Sequence, residues 1–212
     1  MENLGDREVM LDNSRARAVM AAVIEPVSKG LLALGISADV VTIVGGIGAA
    51  TAALVFYPMG HLFVGSLVVT LFVFSDLLDG TMARLAGRPG PWGGFLDSTL
   101  DRVTDAAITG GLLIFLVRHH DAAWVAAFIA LVGGFLVSYT RARAEAAGLK
   151  CEVGIAERAE RLIISLAAAG FTGLGLHWLL AVGMWSLAAL SVVTVCQRIL
   201  TVYQQTHSPE AA

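Results

Sequence analysis

Long apolar stretches, separated by short polar or glycine-rich segments, run along most of this chain. A helix needs about 20 apolar residues to cross a bilayer. Stretches of roughly that length lie at 40–57, 62–83, 95–117, 123–142, 160–176 and 180–200. The pattern therefore predicts an all-α integral membrane protein with six transmembrane helices. The fifth stretch is short and rich in glycine.

The residues before the first stretch follow a different pattern. Segment 14–34 combines basic and aliphatic side chains at helical spacing, which predicts a juxtamembrane amphipathic helix on the membrane surface. An ordinary packing helix would show the same pattern. Segment 1–13 is polar and predicts an N-terminal tail rather than a signal peptide. We expect a single membrane domain over 14–204, followed by a C-terminal tail over 205–212.

The composition and the distribution of charge agree with a membrane protein. Hydrophobic residues make up 57% of the chain and charged residues 15%, with a mean hydropathy of +0.76, whereas soluble domains average about 25% charged residues. With six spans and a cytoplasmic N-terminus, all 14 lysine and arginine residues except Arg118 fall on one side. The positive-inside rule then predicts cytoplasmic termini in the inner (plasma) membrane. We expect membrane lipids, and no nucleic acid, as partners.

Four carboxylates interrupt the second and third apolar stretches. Asp76 and Asp79 lie in DLLDGTMAR, and Asp97 and Asp101 lie in GFLDSTLD. These spacings place each pair on one face of a helix, although such residues cost roughly 2.5 to 3.5 kcal/mol each within a membrane helix. Ligand sets made only of oxygen favour hard cations such as Mg2+ or Mn2+. The pattern predicts metal-assisted chemistry on phosphate.

Two neighbouring residues support this interpretation. Gly80 would let a ligand approach the helix backbone, and the guanidinium of Arg84 can bind a phosphate through two hydrogen bonds. Helix caps with surface charges are one alternative explanation of the acids, and a cation pathway in a transporter is another.

Together the two segments read D-x2-D-G-x2-A-R-x8-G-x3-D-x3-D, and this pattern resembles the signature of the CDP-alcohol phosphotransferase family. The resemblance implies an integral membrane enzyme that transfers a phosphatidyl or similar group from a CDP-linked donor to an alcohol and releases CMP. It also implies that Asp76, Asp79, Asp97 and Asp101 bind two Mg2+ or Mn2+ ions. Asp101 would be the general base, and the enzyme would be a homodimer.

A group of arginines lies outside the acidic motif. Arg141 and Arg143 end the fourth stretch, Arg158 and Arg161 open the fifth, and Arg198 lies near the end of the sixth. Arginine forks match phosphate oxygens, so this group predicts a site for an acceptor that is itself a phosphate ester. Contact with lipid headgroups is the alternative.

From about residue 24 to 203 the chain is also similar to one branch of that family, the actinobacterial phosphatidylinositol phosphate synthases. The shared segments include ADVVT, YPMGHLFVG, SYTRARAEAAGL, AERAERLII and CQR. This resemblance implies CDP-diacylglycerol as donor and inositol phosphate as acceptor, with glycerol 3-phosphate as the alternative acceptor. Three departures are Arg141, where lysine is usual, Ala159, where proline is usual, and Gly90, where a small hydroxyl residue is frequent.

The same resemblance implies two sets of binding residues. The set that would contact CDP-diacylglycerol is Asp39, Val40, Val41, Thr42, Gly80, Arg84 and Gly90. The set that would bind the acceptor phosphate is Ser138, Arg141, Arg158, Arg161 and Arg198.

Overall fold

In a computed structural model of the chain, the structure describes residues 22–87, 90–155 and 157–207. Every regular element in these segments is an α-helix, which confirms the all-α prediction. Helix α1 includes residues 22–33. The later helices are α2 (Ala38–Phe56), α3 (Leu62–Val73), α4 (Ser75–Leu85), α5 (Pro91–Arg118), α6 (Trp124–Ala146), α7 (Arg158–Gly173) and α8 (Trp178–His207).

Four helical segments in the described part of the chain are long and apolar enough to cross a membrane. They are Ala38–Phe56, Leu62–Leu85, Trp124–Ala146 and Trp178–His207. The second of them joins α3 and α4, which are separated only by Phe74. The protein is therefore a multi-pass membrane protein.

The other two predicted spans correspond to α5 and α7, which differ from the first four. Helix α5 has 28 residues, but the half nearest its N-terminus carries the charged residues Asp97, Asp101, Arg102 and Asp105. Helix α7 has 16 residues, a length of about 24 Å at 1.5 Å per residue, against about 30 Å of hydrocarbon. The count of six spans remains a prediction.

The described chain divides into two compact units, of which the first comprises 22–46, 72–87 and 90–100. Its buried contacts include the hydroxyl of Ser28, which donates to the carbonyl of Leu78 at 3.4 Å. Gly45 of α2 lies directly against Ser75 of α4, so that a Cβ at residue 45 would overlap the serine hydroxyl. Small residues of this kind let helix backbones approach closely, and this contact positions α4 with its two aspartates.

Helix α1 is the described part of the predicted amphipathic helix. Lys29 and Glu25 form an ion pair at 2.7 Å one turn apart, and the aliphatic side chains of Val23 and Val27 are exposed. The helical prediction is confirmed for 22–33, and the membrane-surface position remains a prediction. Segments 1–21 and 208–212, which contain the N-terminal tail and most of the C-terminal tail, lie outside the described residues.

The second unit comprises 47–71, 101–155 and 157–207. Helix α8 packs against both α6 and α7. Gly133 of α6 makes this packing close, because a Cβ there would lie 2.7 Å from Cβ of Ser191 in α8. The largest fully buried side chains of this unit include Tyr57, Leu112 and Met184.

Candidate active site

The first unit brings together three of the four predicted metal-binding acids. Asp76 and Asp79 lie in α4, and Asp97 lies in the second turn of α5. Asp76 and Asp97 each place a carboxylate oxygen within 4.8 Å of the other. Asp79 is only 7% exposed, and its Oδ2 accepts a hydrogen bond from the Thr42 hydroxyl at 2.5 Å. Asp76 and Asp97, which are 21 positions apart in sequence, thus lie close together.

Asp101, the fourth acid, follows Asp97 by one turn of the uninterrupted helix α5. The two residues also place carboxylate oxygens within 4.8 Å of each other, as the spacing of four residues requires. Donors that are all carboxylate oxygens suit hard divalent cations such as Mg2+ and Mn2+. The local geometry therefore fits the predicted class of metal.

The surroundings of the acids leave room for a ligand. A Cβ at Gly80 or at Gly90 would meet no heavy atom within 4 Å. Arg84 is exposed, and its NH2 donates to the hydroxyl of Thr81 at 3.0 Å. An open backbone and an exposed guanidinium near the acids are consistent with the predicted binding of a phosphate-containing donor.

The four predicted donor-binding residues at the start of α2 divide into two kinds. Asp39, Val40 and Val41 lie in the first turn and are partly or largely exposed. Thr42 is buried and donates to Asp79. The structure thus places Thr42 against Asp79, one of the predicted metal-binding acids, in a position where it can orient that acid.

In the second unit, two arginines of α7 meet acids of α5. NH2 of Arg158 lies 2.6 Å from Oδ1 of Asp101, and its Nε lies 3.6 Å from Oδ1 of Asp105. NH2 of Arg161 lies 3.0 Å from Oδ2 of Asp105. These contacts tie the first turn of α7 to α5, and they bring two of the predicted acceptor-binding arginines beside the predicted general base.

A third arginine links α5 to α6. NH1 of Arg102 donates a hydrogen bond to the hydroxyl of Ser138, and its NH2 lies 3.7 Å from Oδ2 of Asp101. Ser138, which the sequence assigned to the acceptor site, is therefore bound to a guanidinium and lies close to the same acids.

The last two predicted acceptor-binding arginines have different surroundings. Arg198 is 3% exposed, with Nε donating to the carbonyl of Val153 at 2.9 Å and NH1 donating to the carbonyl of Val137. Arg141 is exposed, and its Nε pairs with Oε1 of Glu145 at 2.8 Å. Arg198 therefore holds α6 and the segment before α7 together, whereas Arg141 lies at the surface.

A cleft in the second unit lies beside Arg102 and Arg161 and opens to the outside. Its polar lining includes Arg102, Asp105, Arg161 and Ser165. Its apolar lining includes Ile108, Leu131, Phe135, Leu162 and Leu187. The cleft is thus amphipathic, with arginine side chains available to an anion.

The sequence analysis did not single out Arg102 and Asp105, which belong to this group of arginines and acids. A signal for Asp105 was present, because it continues the interval of four residues that begins at Asp97 and Asp101 and therefore lies on the same helix face. The only signal for Arg102 was that it is a charged residue within an apolar stretch.

Comparison with known proteins identifies the family. The family model for CDP-alcohol phosphatidyltransferases matches residues 36–201. The chain belongs to this family. Among its curated members, the phosphatidylinositol phosphate synthase of Streptomyces avermitilis is 47% identical over 209 residues, covering 94% of this chain and 86% of that protein. The Mycobacterium tuberculosis enzyme of the same name is 45% identical over 193 residues, covering 89% of each chain.

Two solved structures of this family are similar to the chain over most of its length. A crystal structure of M. tuberculosis phosphatidylinositol phosphate synthase with CDP-DAG bound is 43% identical, with a TM-score of 0.84, and covers 90% of this chain and 97% of that one. The complex of the same enzyme with manganese and citrate is 43% identical, with a TM-score of 0.82, and covers 89% and 91%. The family predicted from the signature is confirmed.

Proposed function

We propose that this protein is a phosphatidylinositol phosphate synthase, which transfers the phosphatidyl group of CDP-diacylglycerol to inositol phosphate and releases CMP. The observation that carries the proposal is the complete acidic signature in a family member that is 43% to 47% identical to named synthases over most of both chains. Its role would be in phospholipid biosynthesis.

The chemistry of the site suits two divalent ions, Mg2+ or Mn2+. Asp76, Asp79, Asp97 and Asp101 would hold them, because carboxylate oxygens are the ligands that such ions prefer. The relative solved with manganese supports this choice. When bound, the ions would neutralise the charge of the donor diphosphate and so favour attack on it.

The protein's own residues supply the remaining steps. Asp101 accepts a proton from an inositol hydroxyl, and the oxygen so activated forms a bond to the phosphorus that carries diacylglycerol. The bond from that phosphorus to the oxygen of the CMP phosphate breaks, and CMP leaves with the electron pair. Gly80 leaves space for the donor, and Arg84 donates hydrogen bonds to its phosphates.

Binding of the donor and the acceptor is divided between different residues. Asp39, Val40, Val41, Thr42 and Gly90 complete the donor site together with Gly80 and Arg84. Arg158 and Arg161 bind the acceptor phosphate with Ser138, Arg141 and Arg198. The ion pairs of Arg158 and Arg161 beside the cleft support this assignment.

We also propose how the protein lies in the membrane. Segment 14–204 forms one catalytic domain with six spans, and its amphipathic N-terminal helix lies on the membrane surface. Both termini and the active site face the cytoplasm, since all lysines and arginines except Arg118 then lie on the inner side. The protein lies in the plasma membrane as a homodimer.

One assay tests the function. Purified protein in lipid vesicles with Mg2+ and CDP-diacylglycerol is given inositol phosphate, glycerol 3-phosphate or free inositol, and CMP is measured. We expect release with inositol phosphate. Release only with glycerol 3-phosphate would identify a phosphatidylglycerol phosphate synthase and overturn the assignment of the acceptor.

A further inference from the structure

Asp105 contacts two arginines in the second unit, although no sequence motif includes it. It lies on α5 one turn beyond Asp101, and its side chain is 19% exposed. One of its carboxylate oxygens, Oδ2, lies 3.0 Å from NH2 of Arg161, and the other, Oδ1, lies 3.6 Å from Nε of Arg158. A single carboxylate thus contacts both arginines of the first turn of α7.

Arg161 depends strongly on such a partner. The residue is 8% exposed, and a charged group removed from water needs a counter-charge or hydrogen bonds. Gly134 of α6 also lies close to it, because a Cβ there would be 3.6 Å from Nε of Arg161. The guanidinium thus lies near a helix backbone as well as a carboxylate, and both Asp105 and Arg161 line the cleft.

We propose that Asp105 is a positioning residue for the acceptor phosphate, which holds the guanidinium groups of Arg161 and Arg158 in the orientation that binds it. This inference rests on the proposed function, because the phosphate of the acceptor is what the two arginines would bind. Asp105 acts through the arginines and does not itself contact the phosphate, since two anions would repel each other.

Two effects of opposite sign decide what the loss of this carboxylate would do. Removing a negative charge makes the cleft more positive, which favours a phosphate. It also frees two long side chains, which must then be ordered again when the phosphate binds. Orientation matters directly for a two-point guanidinium contact, because both hydrogen bonds depend on the geometry of the fork. The second effect is therefore the larger, and binding weakens.

The test replaces Asp105 by the isosteric amide. In Asp105→Asn, we expect KM for inositol phosphate to rise about tenfold or more, the lower end of the effect of a hydrogen bond to a charged group. The KM for CDP-diacylglycerol should change by less than about twofold, because the donor site lacks these arginines. Asp105→Glu, which keeps the charge, should recover part of the lost affinity.

Glu160→Gln is the matched control. Glu160 lies on α7 between the two arginines and is exposed, so the substitution removes the same charge from the same helix turn. We expect KM for inositol phosphate to be unchanged. A rise equal to that of Asp105→Asn would mean that the effect does not depend on the contacts of Asp105 with the two arginines, and it would overturn the proposal.

A double variant shows whether Asp105 acts through Arg161. If it does, Asp105→Asn combined with Arg161→Ala should raise KM by less than the two single effects multiplied together, because the effects of interacting residues are not additive, although some further rise through Arg158 is expected. An unchanged or lower KM in Asp105→Asn, additive losses, or a fall in kcat alone would each overturn the proposal. If the unsubstituted protein releases no CMP with inositol phosphate, the proposed function itself fails, and that result is distinct from the others.

Discussion

The hydroxyl of Thr42 donates a hydrogen bond to Oδ2 of Asp79 at 2.5 Å, and both residues are less than one-tenth exposed. The contact joins α2 to α4 within the first unit, over 37 positions of sequence. Groups that bond to a metal-binding carboxylate orient it and tune its affinity. Thr42, which the sequence grouped with the donor site, is therefore placed to orient Asp79, a predicted metal ligand.

We expect Thr42→Val to weaken divalent-metal binding about tenfold, the lower end of the usual effect of such a partner. Valine keeps the shape of threonine but has no hydroxyl, so Asp79 would lose its buried donor. Titration of the purified protein with Mn2+, followed by calorimetry, measures this directly. Thr42→Ser keeps the hydroxyl and serves as the control. Equal metal affinity in the valine and serine variants would contradict the proposed role.

The four aspartates give a second prediction. Asp76→Asn, Asp79→Asn and Asp97→Asn should each abolish CMP release and weaken Mn2+ binding, since each removes a charge that the ions require. Asp101→Asn should abolish CMP release but leave CDP-diacylglycerol binding largely intact, because its main role is proton transfer. Full activity in any one variant would rule out the four-carboxylate site. Loss of donor binding in Asp101→Asn equal to that in Asp76→Asn would argue against a general base.

Arg161 tests the acceptor site. Arg161→Ala should raise KM for inositol phosphate by about tenfold or more, as expected for a lost hydrogen bond to a charged group, with donor affinity little changed. Steady-state kinetics with each substrate varied in turn measure both values. Arg118→Ala is the control for charge, because Arg118 is expected on the opposite membrane face, where its NH1 donates to the carbonyl of Pro58 at 2.8 Å. An equal effect of both substitutions would disprove a specific phosphate contact.

Substitution of Gly80 should change stability and donor binding in opposite directions. A Cβ at Gly80 meets no heavy atom of the protein within 4 Å, so Gly80→Ala should stabilise α4 by about 0.5 to 1 kcal/mol. The added methyl group would nevertheless occupy space that the donor needs, and KM for CDP-diacylglycerol should rise about tenfold if one close contact is lost.

Gly110→Ala is the control for this experiment. A Cβ at Gly110 in α5 also meets no atom within 4 Å, but no donor contact is expected there. Thermal unfolding should show a similar gain in stability, and KM should be unchanged. If Gly80→Ala leaves KM for the donor unchanged as well, the donor does not approach the backbone of α4.

Much of the fold could be predicted because local rules determine it. Apolar length predicted α2, the joined α3 and α4, α6 and α8 as candidate membrane spans, and the structure has all four. Apolar length also predicted spans at α5 and α7, but charged residues make these two helices less apolar than the other four. Those charges meet one another in the second unit, and hydropathy along a single helix contains no information about such partners.

The sequence by itself determined that Asp76 shares a helix face with Asp79 and that Asp97 shares one with Asp101, because this follows from the period of a helix. The tertiary structure alone decided the contacts between helices. Asp105 and Arg161 are 56 positions apart, and Thr42 and Asp79 are 37 apart. Contacts at such separations depend on how whole helices pack, and steric fit between side chains far apart in sequence decides that packing.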